Sequence, residues 1–313
     1  MNILLVGEES AGIQMLRLLG QSGHRIVAVM ASPTKNNGTA NLWSIAEKLG
    51  HETWPAKLVK DPALADEIRA REVDILLNVH SLFVINGEVL SAPRIGSFNI
   101  HPGPLPRYAG LNAPSWAIYR GESSHGVTVH KMVPGIDAGP VAYQALFDIE
   151  ETDTGLSLSS KCVKAGIPLL SRLLESASLG AQAIPLIDQD MTKREYFGRE
   201  VPNDGRIIWS SLAREVLDFI RACDYLPFRS PWGHPRASWK GQEIFPLKAA
   251  RTGIRCDCQP GTVGESVESG VRVACADEWI TVKSVKLGDV TSQAADVLRP
   301  GDQLSDGLPR LQP

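Results

Sequence analysis

Three side chains in this chain have the types and the setting for acyl-transfer chemistry: Asn99, His101 and Asp137. Asn99 and His101 are two apart in an apolar, strand-like run, SFNIH, so their side chains share one face of the strand. Asp137 lies in PGIDAG, where glycines permit tight turns and a close approach by a ligand. An amide is a preorganised donor to an oxygen that gains negative charge. An imidazole holds or moves a proton near neutral pH. A carboxylate orients that imidazole, stabilises its cation, or takes the proton of an attacking amine. No nucleophile stands with them, because Ser97 and Ser115 lack the strand-to-helix elbow of a covalent acyl enzyme. The set therefore points to direct transfer of an acyl group to an external amine or to water. His101 with Asp137 lacks a metal-ligand spacing, so no metal is expected. His80, His125 and His130 read as strand-end or surface residues.

These groups need a scaffold, and the flanking chain supplies one. Asn2–Val6, Arg25–Met30 and Val73–Val79 are short apolar runs of the kind buried on both faces of a parallel sheet. Helical patterns over 40–49 and 62–71 alternate with them, which predicts a doubly wound, Rossmann-like α/β domain. Ser97–His101 continues that sheet and ends at PGPLPRYAG, whose three prolines fix a loop. His101 thus falls at the carboxyl end of a strand, where open α/β sheets bind ligands. A helix over 112–119 and strands over 126–132 and 141–149 follow, then a long amphipathic helix over 153–178, with Thr152 or Thr154 as its cap. The GEESAG turn after the first strand lacks the glycine pattern that cradles a dinucleotide, and reads as structural. Residues 181–208 form a polar linker. Residues 209–313, with one helix and short strands between glycine turns, predict a smaller β-barrel-like (OB-like) domain. The catalytic domain is expected to span 1–180.

Bulk properties narrow the partners. A net charge of −3 supplies no field for nucleic acid or an anionic membrane. No apolar run reaches the roughly 20 residues a membrane helix requires, and the first ten residues do not read as a secretory signal. The five cysteines are scattered, and Cys256-x-Cys258 is too close for a metal or redox pair, so the thiols read as structural. A soluble, cytoplasmic protein is the expectation.

The run Asn99-x-His101, followed by PLPRYAG and GVTVHKMVPGIDAG, closely resembles the formyltransferases that use 10-formyltetrahydrofolate, among them methionyl-tRNA, sugar-amine and amino-acid N-formyltransferases. The resemblance implies that Asn99 and His101 polarise the formyl oxygen and that Asp137 positions His101 and manages protons. It also implies a folate pocket between Leu82, Phe83, Val84 and Ile85 and the loop carrying Val133, Gly135 and Ile136, where backbone groups meet the pterin.

Two departures bear on the acceptor. HPGPLP, 101–106, stands where HGSLLP is often found, and the PGPLPRYAGLN version is more similar to enzymes of peptide natural-product assembly or amino-sugar modification. SPTKNNGTANLW carries only Lys35 where the tRNA enzymes have a basic insertion. YFGREVPNDGRIIW, 196–209, resembles the matching segment of sugar-amine formyltransferases. The expectation is formyl transfer, by direct attack through a tetrahedral intermediate, to the amine or hydroxylamine of a small metabolite. Acceptors that fit are an amino sugar, an ornithine-type amino acid or a carrier-bound amino acid. Methionyl-tRNA formyltransferase and formyltetrahydrofolate hydrolase are the alternatives.

Overall fold

The computed structural model describes residues 1–33, 41–81 and 83–307. Contacts divide the chain into two units. The first comprises Met1–Gly110, Gly126–Phe147 and Lys161–Tyr196, and the second Leu111–His125, Asp148–Ser160 and the chain from Phe197 on.

The first unit is built on β1 (Asn2–Gly7), β2 (Arg25–Ala31), β3 (Thr53–Pro55), β4 (Ile75–Val79) and β5 (Gly96–His101). The two-residue strand β6 (Ala109–Gly110) lies outside its sheet, and β7 (Ser124–Lys131) and β8 (Val141–Asp148) complete it in the order β3-β2-β1-β4-β5-β7-β8. Pairings from β3 through β5 are parallel, and β5 meets β7 antiparallel. Alternation along β1 explains why its run is apolar throughout. Ile3 and Leu5 enter one core cluster, with Met15, Leu16, Leu170 and Leu173, while Leu4 and Val6 enter the other, with Ile68, Leu76 and Val89. Strand order reverses between β1 and β4, the kind of crevice where α/β sheets take ligands.

The expected strands and helices of this unit are present with ends shifted by one or two residues. The helices foreseen over 40–49 and 62–71 run Leu42–Lys48 and Leu64–Ala70, and the long one runs Gly155–Ser178. Thr154 caps that helix, its Oγ1 accepting from Ser157 N at 3.2 Å while Ser157 Oγ accepts from Thr154 N at 2.9 Å. The glycines of the turn after β1 are closely packed. A Cβ on Gly7 would lie 2.9 Å from Val79 O, and one on Gly12 2.7 Å from Leu42 Cδ2. β3 and the short helix Gly87–Ser91 carry too few residues to show a period.

In the second unit, strands Val263–Val267, Gly270–Ala274, Glu278–Leu287, Gln242–Arg255, Ala237–Trp239 and Leu304–Asp306 lie side by side, with Val290–Gln293 also paired to Glu278–Leu287. Every pairing is antiparallel. Gln242–Arg255 shifts register at three places along its partner, and such bulges bend a strand into a barrel-like sheet. Helix Ala213–Ala222 buries Val216, Phe219 and Ile220. All five cysteines are free thiols and only Cys258 is exposed, in keeping with a structural role.

Candidate active site

β4 and β5 end side by side, and the candidate groups lie at those ends. Asn78 and Asn99 are partners across the parallel ladder. Asn78 Nδ2 donates to Asn99 Oδ1 at 3.0 Å, and Asn99 Nδ2 lies 3.1 Å from His130 Nε2. His130 belongs to β7 and stands opposite Asn99 in the β5–β7 register. Its Nδ1 donates to Lys131 O at 3.1 Å.

His101 is 3 % exposed. Its Nε2 lies 2.6 Å from Tyr108 O. A carbonyl only accepts, so Nε2 carries the proton and Nδ1 is left facing Asp137 Oδ2 at 3.3 Å. Asp137 Oδ1 lies 3.4 Å from His130 Nε2, and Gly110 N donates to Oδ2 at 2.8 Å. One carboxylate therefore stands between two imidazoles. Burial pushes His101 below its ordinary pKa, against the pull of Asp137 and of Tyr108 O. Burial also works against the ionised form of Asp137, but His101, His130 and the Gly110 N–H together outweigh it and hold the carboxyl well below its usual range. The carboxylate and the imidazole nitrogen that faces it are placed to share one proton.

Loops hold these groups, and four polar side chains hold the loops. Thr128 Oγ1, on β7, accepts from Leu105 N at 3.1 Å and donates to Gly103 O at 2.7 Å. Gln144 Nε2, on β8, donates to Leu105 O at 2.9 Å. The proline loop thus presents Tyr108 O to His101. The loop after β7 turns back tightly: Asp137 has φ +50°, and a Cβ on Gly139 would lie 1.9 Å from Lys131 O. Gln189 Nε2 clamps it by donating to Asp137 O at 2.9 Å and Gly139 O at 2.6 Å, and Arg194 Nη2 donates to Ile136 O at 2.7 Å. Glu195 reaches the other loop, its N donating to Pro106 O at 3.3 Å and its carbonyl accepting from Ala109 N at 2.9 Å. The stretch 187–195 therefore straps both site loops, a task its irregular polar sequence gave no pattern to reveal.

The expected folate-facing residues divide. Leu82 lies outside the described residues, as does Lys35, the one base of SPTKNNGTANLW that bore on the acceptor. Phe83 packs against the core beneath Lys60, whose Nζ is 5.1 Å from the ring centroid, and Ile85 is a core residue. Val84 and Ile136 are exposed apolar side chains, Val133 is half-buried and Gly135 exposed. The two segments adjoin, since a Cβ on Gly87 would lie 3.8 Å from Pro134 Cγ. His130 and His125 are 2 % and 1 % exposed, which corrects the surface reading of both. Alternation on β7 puts His130 on the face opposite Val127 and Val129, and its register with Asn99 brings it into the site. Ser97 Oγ donates to Leu90 O and Ser115 Oγ to Ala222 O, so neither hydroxyl is poised as a nucleophile. Among the described residues no group of His, Cys, Asp and Glu is arranged to hold a metal ion.

An amide, an imidazole and a carboxylate thus meet at the strand ends of the parallel sheet, and the second unit is a barrel-like antiparallel sheet. The family described as "Formyl transferase" matches residues 1–174, and its C-terminal domain matches 201–299. The chain belongs to the formyl transferase family. Solved structures share the fold. An N-formyltransferase from Helicobacter canadensis, in complex with folinic acid and dTDP-3-aminofucose, aligns at TM-score 0.68 and 18% identity, over 90% of this chain and 98% of that one. WlaRD, a sugar 3N-formyl transferase solved in the presence of dTDP and 5-N-formyl-THF, gives 0.68 and 19% over 90% and 97%. HypX from Aquifex aeolicus, in complex with tetrahydrofolic acid, gives 0.66 and 19% over 95% of this chain but 46% of its own. No helix among the described residues is long and apolar enough to cross a membrane.

Proposed function

We propose that the enzyme transfers the formyl group of 10-formyltetrahydrofolate to the amine of a small metabolite. One observation carries the reading: the Asn99 amide and the His101–Asp137 pair converge at the ends of β5 and the loop after β7. The donor supplies an activated formyl carbon. Exposed Val84 and Ile136, on two adjoining segments, suit the apolar face of a pterin. Asn99 keeps one amide hydrogen free for the formyl oxygen as charge develops there. His101 and Asp137 receive the proton shed by the attacking nitrogen and return it to the departing folate nitrogen, so protons balance across the transfer.

The net charge of −3 and the likeness to sugar N-formyltransferases favour a small amine, such as a nucleotide-linked amino sugar or an ornithine-type amino acid, free or carrier-bound. The test is tetrahydrofolate release from 10-formyltetrahydrofolate with a panel of these amines. Release that depends on one of them supports the reading. Release without amine makes the enzyme a hydrolase, and salt-sensitive binding of initiator tRNA makes it the tRNA enzyme. No release under any condition overturns formyl transfer from this donor.

A further inference from the structure

Asn78 has no place in the chemistry described above, yet its position is costly. It lies among Ile75, Leu76, Leu77 and Val79 in a strand whose other side chains are core, and its Oδ1 is buried without a partner among the described residues. An apolar residue would suit β4 better, and a buried unpaired carbonyl calls for a functional reason.

The hydrogen-bond directions supply one. Lys131 O accepts, so His130 carries a proton on Nδ1, and in the tautomer with that proton alone Nε2 is an acceptor. Asn99 must then turn its NH2 to His130 and its Oδ1 outward, and Asn78 Nδ2 meets that oxygen at 3.0 Å. Asn78 Oδ1 is the acceptor left over at the end of the chain of bonds. We infer that Asn78 is a positioning residue, which with His130 grips the Asn99 amide at both ends, fixes its direction, and leaves one N–H for the formyl oxygen. The inference rests on the proposed role of Asn99. Without the grip the amide rotates, and its donor and acceptor exchange places.

The test compares three variants, with the best amine of the panel. In Asn78→Leu, which suits a buried strand, kcat falls about tenfold while the dissociation constant for tetrahydrofolate stays within about twofold. Asn78→Asp keeps the shape but can only accept; it pulls the Asn99 NH2 toward itself, and kcat falls roughly 100- to 1,000-fold, the scale of losing one oxyanion donor. Asn78→Thr, which retains a donor, is the least impaired. In an Asn99→Ala background Asn78→Leu costs nothing further, whereas a merely structural role would still lower activity. Side-chain amide NMR of the ligand-free protein gives a readout independent of turnover. The Asn99 NH2 protons, assigned by their absence in Asn99→Ala, exchange slowly in the wild type and faster in Asn78→Leu. Wild-type kcat in the Leu variant, an Asp variant more active than Leu, or unchanged amide exchange overturns the inference. An inactive wild type with an amide that slows as described would instead count against the formyl-transfer reading.

Discussion

His101 Nδ1 lies 3.3 Å from Asp137 Oδ2, with the two side chains 4% and 9% exposed. The other oxygen of that carboxylate faces His130, so a single acid serves two imidazoles that sit on different strands. The contact joins residues 36 positions apart by way of a left-handed Asp137 and a strap from residues 187–195.

Asp137→Asn keeps the shape and removes the charge. Turnover falls at least about 100-fold, the scale of a lost general acid–base group. The wild-type carboxyl is held below its usual value near 3.9, so its contribution to stability is present above about pH 4 and is lost as pH falls further. The Asn variant lacks that loss. Urea midpoints at pH 7 and pH 3 check the difference.

His80 follows β4 with φ +58°, a conformation asparagine adopts more readily than histidine. Burial, and then the neighbouring His101, push its pKa down to about 4. An imidazole kept neutral by folding takes up a proton more readily when unfolded. Its contribution is therefore present above about pH 6.5 and fades as pH falls toward 4. His80→Asn removes that component, and the gap between the two proteins' urea midpoints shifts in favour of the variant across this window. A constant gap would refute it.

Gly103→Ala tests the partner of His101. The new Cβ would lie 2.7 Å from His101 Nε2 and 2.8 Å from Tyr108 O, so the two must part. Overpacking of this kind costs about 1–3 kcal/mol. Activity drops with it, and a variant structure shows the Nε2 contact to Tyr108 O lengthened.

Thr128→Val preserves volume but removes the hydroxyl that meets Leu105 N, Gly103 O and Gln144 Nε2, leaving the first two only their 3.1 Å bond to each other. Losing these bonds costs roughly 1–3 kcal/mol. Thr128→Ser restores most of it. Chemical denaturation distinguishes the three proteins.

Much of the fold was legible because its elements are long enough to display a period. The apolar runs at β1, β2 and β4 and the stripe of the helix Gly155–Ser178 each declare their burial. Asn99 and His101 could be read as a pair from their spacing alone. His130 could not: a histidine in an alternating strand looks the same whether its face meets solvent or another strand end. Phe83, Val84 and Ile85 were equally apolar in sequence, and only packing separated the core residues from the exposed one.

The sequence by itself determined the parallel sheet, the barrel-like second unit, the family and the amide–imidazole–carboxylate set, because all of these reside in local pattern and residue type. Tertiary structure alone decided that Asn78 and His130 grip Asn99, that Tyr108 O sets the His101 tautomer, and that residues 187–195 hold the Asp137 loop. Those bonds join strands that lie side by side only after folding, and they depend on tenths of an ångström and on donor direction, neither of which has a period along the chain.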